Sequence, residues 1–243
     1  TTQTTTQTTT NTSSVEPATA PVTTVSTTTS ASTSPGTEPP RELVIAGKTL
    51  EYISSADLAG LTIGGESQAG DITVESDVSS KGSLTIQTQG QVEVKATAAV
   101  MAASAVTLQG QDVTVAGEVS ATGGQSNAQP QPQPEVQITA QETVTITETA
   151  TLQTSASSTA GRIRITAKDI STEGVINAST INAGTTGTAG QVAGEVNLNA
   201  LNTATINGAI SVDSTQGQGG RITVEAQTIN VQGSAKLTAT GKT

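Results

Sequence analysis

Three carboxylates stand close together in the phrase AGDITVESD: Asp71, Glu75 and Asp77. In an extended chain residues two apart share a face, so all three would project from one side, with Glu75 and Asp77 about 6 to 7 Å apart. A carboxylate pair at such a distance is one requirement of glycoside hydrolysis, where one group acts as acid and the other as nucleophile or base. Any solvated acidic strand produces the same spacing, and no third or fourth oxygen ligand is placed to complete a Ca²⁺ cage. Arg162 and Arg164 repeat the two-apart pattern, which suits a soluble strand face as well as a substrate clamp. The stretch GGRIT has the glycines of a phosphate loop without its lysine or following helix. His and Cys are absent, which removes the commonest metal ligands, general bases, thiol nucleophiles and disulfides together. The expectation is therefore a non-enzyme with no cofactor, and with no residue nominated as catalytic, cofactor-binding or metal-ligating.

The elements that would carry these groups are short strands. Apolar dyads, two residues apart with one polar residue between, recur every seven to eight residues between Gly, Ser and Thr. Residues 69–76 (AGDITVES), 160–167 (AGRIRITA), 193–200 (AGEVNLNA) and 219–226 (GGRITVEA) are variants of one phrase. In the last, Ile222 and Val224 point one way while Arg221, Thr223 and Glu225 point the other. One such strand buries too little alone; stacked copies share hydrogen bonds and a continuous aliphatic column, the logic of a β-solenoid.

Four successive coils align. First strands start at Val136, Ile163, Val196 and Ile222, second strands at Val144, Ile170, Ile206 and Ile229, third strands at Leu152, Ile176, Ile210 and Leu237. Three short strands with uneven corners favour an all-β fold, a right-handed parallel β-helix. Upstream, spacing groups Val106 with Val113 and Val119, and Leu84 with Val92 and Val100, whereas phrase similarity puts Ile72 on a first strand. The register there stays open between the two. Either way about seven coils lie between Gly60 and Thr243, a rod roughly 35 Å long at ~4.8 Å per stacked strand.

The domain reading is a Thr/Ser/Pro-rich linker or tail over residues 1–40 and a β-helical rod over residues 41–243. The first forty residues hold no Lys or Arg and little to bury, which suits a disordered, extended or O-glycosylated spacer. A competing reading adds Thr-rich strands such as residues 22–29 to the side or end of the rod. Residues 42–63, with the single Tyr52, would form a first coil or a cap. Nothing resembling a polar cap follows Leu237, so the ends are expected to pair with other chains or to belong to a longer rod. The chain starts at Thr1, so any targeting segment is expected to have been removed or left out.

A formal net charge of -10 with ten Lys and Arg argues against nucleic acid and anionic membranes as partners. The longest apolar run, residues 96–106, is too short to span a bilayer. Insertions at residues 120–134, 153–161, 178–194 and 213–220 all follow a third strand and precede a first, and would line one edge of the rod, where any direct binding is expected. Within the first of them, QPQPQP at residues 129–134 must leave the ladder because Pro lacks a donor. Glu135, Arg162, Glu195 and Arg221 precede successive first strands and should stack as a charge column of alternating sign, each pair worth ~0.2 to 1 kcal/mol. Thr143, Thr145 and Thr147 share a strand face, the beginning of an ice-binding array, but Glu93, Gln137, Arg164 and Asn197 interrupt outward positions elsewhere.

The phrases at residues 160–179 and 219–241 resemble the filamentous-haemagglutinin-like exoproteins, in their long cyanobacterial form. The resemblance covers residues 60–243 and lies in the repeat pattern; the N-terminal secretion module with its Asn-Pro motifs is missing, as is any toxin domain. It implies a right-handed parallel β-helix, export through a partner outer-membrane pore, and a place at the cell surface or in the extracellular matrix. The expected function is a structural rod supporting adhesion or cell-cell association, with surface glycans or neighbouring cells as its contacts. The alternative is a subunit that stacks end to end through open β-helix ends into a homopolymeric filament.

Overall fold

The computed structural model describes residues 22–25, 43–45, 60–123, 133–155, 161–179, 193–214 and 218–241. The regular elements among the described residues are β-strands, and the pairings between them are parallel. They arrange as three ladders. The first runs through Gly60–Gly64, Ser83–Gln87, Ala105–Gly110, Glu135–Ala140, the start of Arg162–Thr172, the start of Glu195–Ile206, and Arg221–Glu225. The second takes Ile72–Val74, Gln91–Val94, Asp112–Val115, Thr143–Ile146, the ends of the same two long strands, and Thr228–Val231. Because those two strands run on from one ladder into the next, both belong to a single 14-stranded sheet. The third ladder is a separate 7-stranded sheet from Val78–Ser80 to Lys236–Thr238. The all-β, parallel arrangement fits a β-helix or solenoid. One strand from each ladder, in chain order, is called a rung below.

Alternation decides what is inside. Val136 and Ile138, Val144 and Ile146, and Leu152 are fully buried, and equivalent dyads above and below join them in one aliphatic cluster. Parallel pairing stacks like on like, so each dyad meets its counterparts in the neighbouring rungs.

Two strands extend the ladders at the N-terminal end. Val22–Val25 pairs with Gly60–Ile63, and Leu43–Ile45 pairs with Ile72–Val74. The first of these matches the competing reading of the Thr-rich segment, in which it adds to the end of the rod; the rest of residues 1–40, and Tyr52, lie outside the described residues.

The registers of the last four rungs match the sequence reading at every first and third strand. One second-strand assignment is corrected. Ala204, not Ile206, stands opposite Ile170 and Ile229, while Ile206 stands opposite Thr172 and Val231. The corner before it carries one more residue than its neighbour, which shifts the register after Ala167 and leaves Leu201 65% exposed. Large and small residues exchange places in compensation: Ile170 over Thr172 in one rung becomes Ala204 over Ile206 in the next. The open register upstream resolves in favour of spacing, since Ile72 lies on a second strand, opposite Val92.

The corner between second and third ladders shows why glycine recurs. It is a hydrogen-bonded turn at residues 95–98, 147–150 and 232–235, and two residues shorter before Gly117, Gly174 and Gly208. In the shorter form the chain presses onto the adjoining rung. A Cβ on Gly208 would stand 2.0 Å from the Gly174 carbonyl oxygen, and one on Gly117 2.1 Å from that of Ala98, so no side chain fits.

Candidate functional site

The acidic trio does not converge on a reacting centre. Asp71 Oδ1 accepts the Gln91 backbone N–H at 2.8 Å, and Asp77 Oδ1 accepts that of Ala99 at 2.9 Å. Both carboxylates thus cap the main chain of the next rung, Asp71 just before Ile72–Val74 and Asp77 just before Val78–Ser80, and Glu75 lies exposed in the corner between them. The same device recurs. Asp112 Oδ1 accepts from Thr143 N and Asp169 Oδ1 from Thr203 N, each at 3.1 Å. Asp71, Asp112 and Asp169 hold one corner position, immediately before the second-ladder dyad, with Gln91 and Thr143 occupying the rungs between. A carboxylate on every second rung bonds upward without facing another carboxylate. The sequence reading missed this column; its signal is the Asp that opens the triplets DIT, DVT and DIS.

The charge column stacks in the expected order, with Glu135 opposite Arg162, Arg162 opposite Glu195, and Glu195 opposite Arg221. Arg162 Nε meets Glu195 Oε2 at 3.1 Å, whereas Glu135 pairs diagonally with Arg164 Nε at 3.5 Å. At the next corner Lys168 Nζ meets Glu142 Oε2 at 2.8 Å, and that hydrogen-bonded carboxylate holds the ammonium above its ordinary pKa. The partly exposed Arg162–Glu195 and Arg164–Glu135 pairs add register support of ~0.2 to 1 kcal/mol each.

A second unforeseen cluster lies near the C-terminal end. Asp213 accepts hydrogen bonds from Ser211 Oγ, Thr238 Oγ1, Thr240 N and Thr240 Oγ1, at 2.7 to 2.8 Å. Its own N–H donates to Ser179 Oγ at 3.0 Å. Burial pushes this carboxyl's pKa up, but the donors of Ser211, Thr240 and Thr238 outweigh it and hold the group well below the usual carboxylate range. The carboxylate therefore ties the last two third-ladder rungs together, and the main chain of the same residue reaches the rung before them.

The four insertions fall between third-ladder and first-ladder strands as expected, although the middle of each lies outside the described residues. Gln133 and Pro134 are described, and the Pro134 carbonyl accepts the Arg162 N–H at 2.8 Å. Beside this edge, on the outer face of the first ladder, a polar trough of ≈ 320 Å³ is lined by Arg164, Thr166, Asn197, Asn199, Thr223 and Glu225. It offers donors and acceptors over three rungs, with no aromatic platform. The column that carries Thr145 is mixed. Thr73, Glu93, Thr114, Thr145, Ser171, Thr205 and Asn230 follow one another in register, and Glu93, Ser171 and Asn230 interrupt the Thr.

Among the described residues, the last rung presents an uncovered apolar surface. Ile229 is 47%, Val231 58% and Leu237 41% exposed. Among the described residues, Arg221–Glu225, Thr228–Val231 and Lys236–Thr238 are paired along one edge only. No group of three or more metal-capable side chains, and no helix long and apolar enough to cross a membrane, occurs among the described residues. No family model, curated protein or solved structure matches the chain.

Proposed function

We propose that the chain is a non-enzymatic rod, a right-handed parallel β-helix of about seven coils, serving as a structural segment of an extracellular surface or matrix fibre that supports adhesion or cell-cell association. The observation that carries this reading is the use made of the charged groups. Asp71, Asp77, Asp112, Asp169 and Asp213 each bind the main chain of a neighbouring rung, so the residues best suited to chemistry act as fasteners. Such a molecule transmits load along its ladders and presents polar faces sideways. The extracellular setting, with surface glycans or neighbouring cells as contacts, follows from the resemblance of the repeated phrases to filamentous-haemagglutinin-like exoproteins. A net charge of -10 with only ten Lys and Arg weighs against nucleic acid.

Two measurements test it. Beads coated with the full chain should bind to cells or to a glycan surface more than albumin-coated beads do; equal binding removes the adhesive part. Incubation with acidic and neutral polysaccharides should yield no new reducing ends, and product that vanishes in Asp71→Asn would replace the rod with an enzyme. Filament formation is the second reading, favoured by the uncovered last rung.

A further inference from the structure

We propose that the C-terminal rung is a strand-accepting surface whose occupant is the N-terminal edge of a second copy of this chain, giving polar, head-to-tail assembly. The inference rests on the rod reading and specifies its partner, polarity and register. Three observations carry it.

The first is matching edges. Val22–Val25 and Leu43–Ile45 are the terminal strands of the 14-stranded sheet, each paired on one side among the described residues. Arg221–Glu225 and Thr228–Val231 are one-sided at the opposite end of the same ladders. A parallel ladder has the same strand direction throughout, so head-to-tail contact continues its hydrogen bonding without reversal, whereas tail-to-tail contact does not.

The second is register. Following the second ladder pair by pair, Leu43, Val44 and Ile45 occupy the positions held at the far end by Ile229, Asn230 and Val231. The incoming strand therefore sets Leu43 and Ile45 in register with Ile229 and Val231, positions whose internal counterparts are buried where a further rung follows them.

The third is charge. Residues 1–60 carry five carboxylates against two cations, while residues 218–243 carry Arg221, Lys236 and Lys242 against Glu225. In a chain of net charge -10 the last rung, with Arg221 and Lys236 against Glu225, is cationic, which disfavours its contact with the last rung of another copy and so disfavours tail-to-tail pairing.

The chain has no cysteine, so a disulfide can be placed at will. Strand neighbours ~4.8 Å apart fall within disulfide reach. The double variant Val44→Cys with Asn230→Cys, mildly oxidised as the full chain, should give a series of covalent dimers, trimers and higher species that collapses on reduction, while each single variant stays monomeric. Adding Arg221→Glu and Lys236→Glu should raise the concentration for half-maximal cross-linking by about tenfold. Covalent dimers from Asn230→Cys alone would overturn the polarity in favour of tail-to-tail pairing. A double variant that stays monomeric, with β circular dichroism and protease resistance unchanged, would overturn the assembly and leave the rod standing. Loss of that β signal in the unsubstituted chain would instead remove the rod itself.

Discussion

The two ends of the ladders carry the same kind of dyad in opposite environments. At the N-terminal end Leu61, Ile63, Ile72 and Val74 are 6% exposed or less, beneath strands that extend the first two ladders. At the C-terminal end Ile229 and Val231, in the same ladder as Ile72 and Val74, are about half exposed. Side-chain type and alternation are alike in both. Burial in a stacked fold is therefore a property of having a rung on each side, and an end rung keeps only about half of the stabilisation that an internal one enjoys.

The largest test of that contrast is truncation. Leu152→Ala, in a fully buried internal position, should cost about 2 to 5 kcal/mol by chemical denaturation at low protein concentration. Ile229→Ala should cost about 1 kcal/mol under the same conditions, in line with its partial burial. Equal costs would mean that the last rung is covered in solution and the contrast does not exist.

Asp213→Ala should loosen only the C-terminal end, by about 1 to 3 kcal/mol, because it removes the acceptor for Thr238 and Thr240 while leaving internal rungs intact. Hydrogen exchange should rise at residues 238–240 and stay unchanged at Val100. The pH dependence has a definite sign. A carboxyl held below its unfolded value contributes fully above that value, about 3.9, and loses its contribution as pH falls below it towards the depressed folded value. Exchange at residues 238–240, corrected for intrinsic rates, should therefore be flat from pH 7 to pH 5 and climb in strong acid. A climb that begins near neutrality would assign the end to another group.

Thr172→Val should act in the opposite direction. The Thr172 hydroxyl is buried without a hydrogen-bond partner among the described residues, beside Ile146 and Ile206 in register. Replacing it with a methyl group should stabilise the interior by about 1 kcal/mol and leave the ends alone. No gain in the denaturation midpoint would show that the hydroxyl is solvated or bonded in solution.

The smallest effect belongs to the charge column. Arg162→Ala should cost ~0.2 to 1 kcal/mol, and the loss should shrink in 1 M salt. A salt-independent loss would assign the effect to packing of the Arg162 stem.

Much of the architecture was legible because alternation is local. Val136, Leu152 and Ile176 were placed on the right ladders from spacing alone, and the four charges before the first strands stacked in the order read from the chain. The misplacements have physical causes. Ala204 was overlooked because a small residue in a core position carries no apolar signal, and the extra corner residue made Ile206 look like the start of the strand. Ile72 was drawn towards the first ladder by phrase similarity, since corner residues AG and polar partners recur before strands of more than one ladder. The bonding of Asp71 and Asp77 was not legible because their partners, Gln91 and Ala99, lie 20 and 22 residues away, beyond any local pattern.

The sequence by itself determined the short-strand cadence and which residues within a regular dyad share a face, because successive residues of an extended chain must point to opposite sides. It also determined that charge before the first strands would alternate once stacked. Only the tertiary structure decided which residue meets which across 20 to 34 positions, because that depends on how many residues each corner absorbs. Leu201 outside, Ala204 inside, and Asp71 bonded to the next rung all follow from that count. The same stacking left Ile229 and Val231 half exposed, since what covers a dyad is another rung and not its own neighbours in the chain.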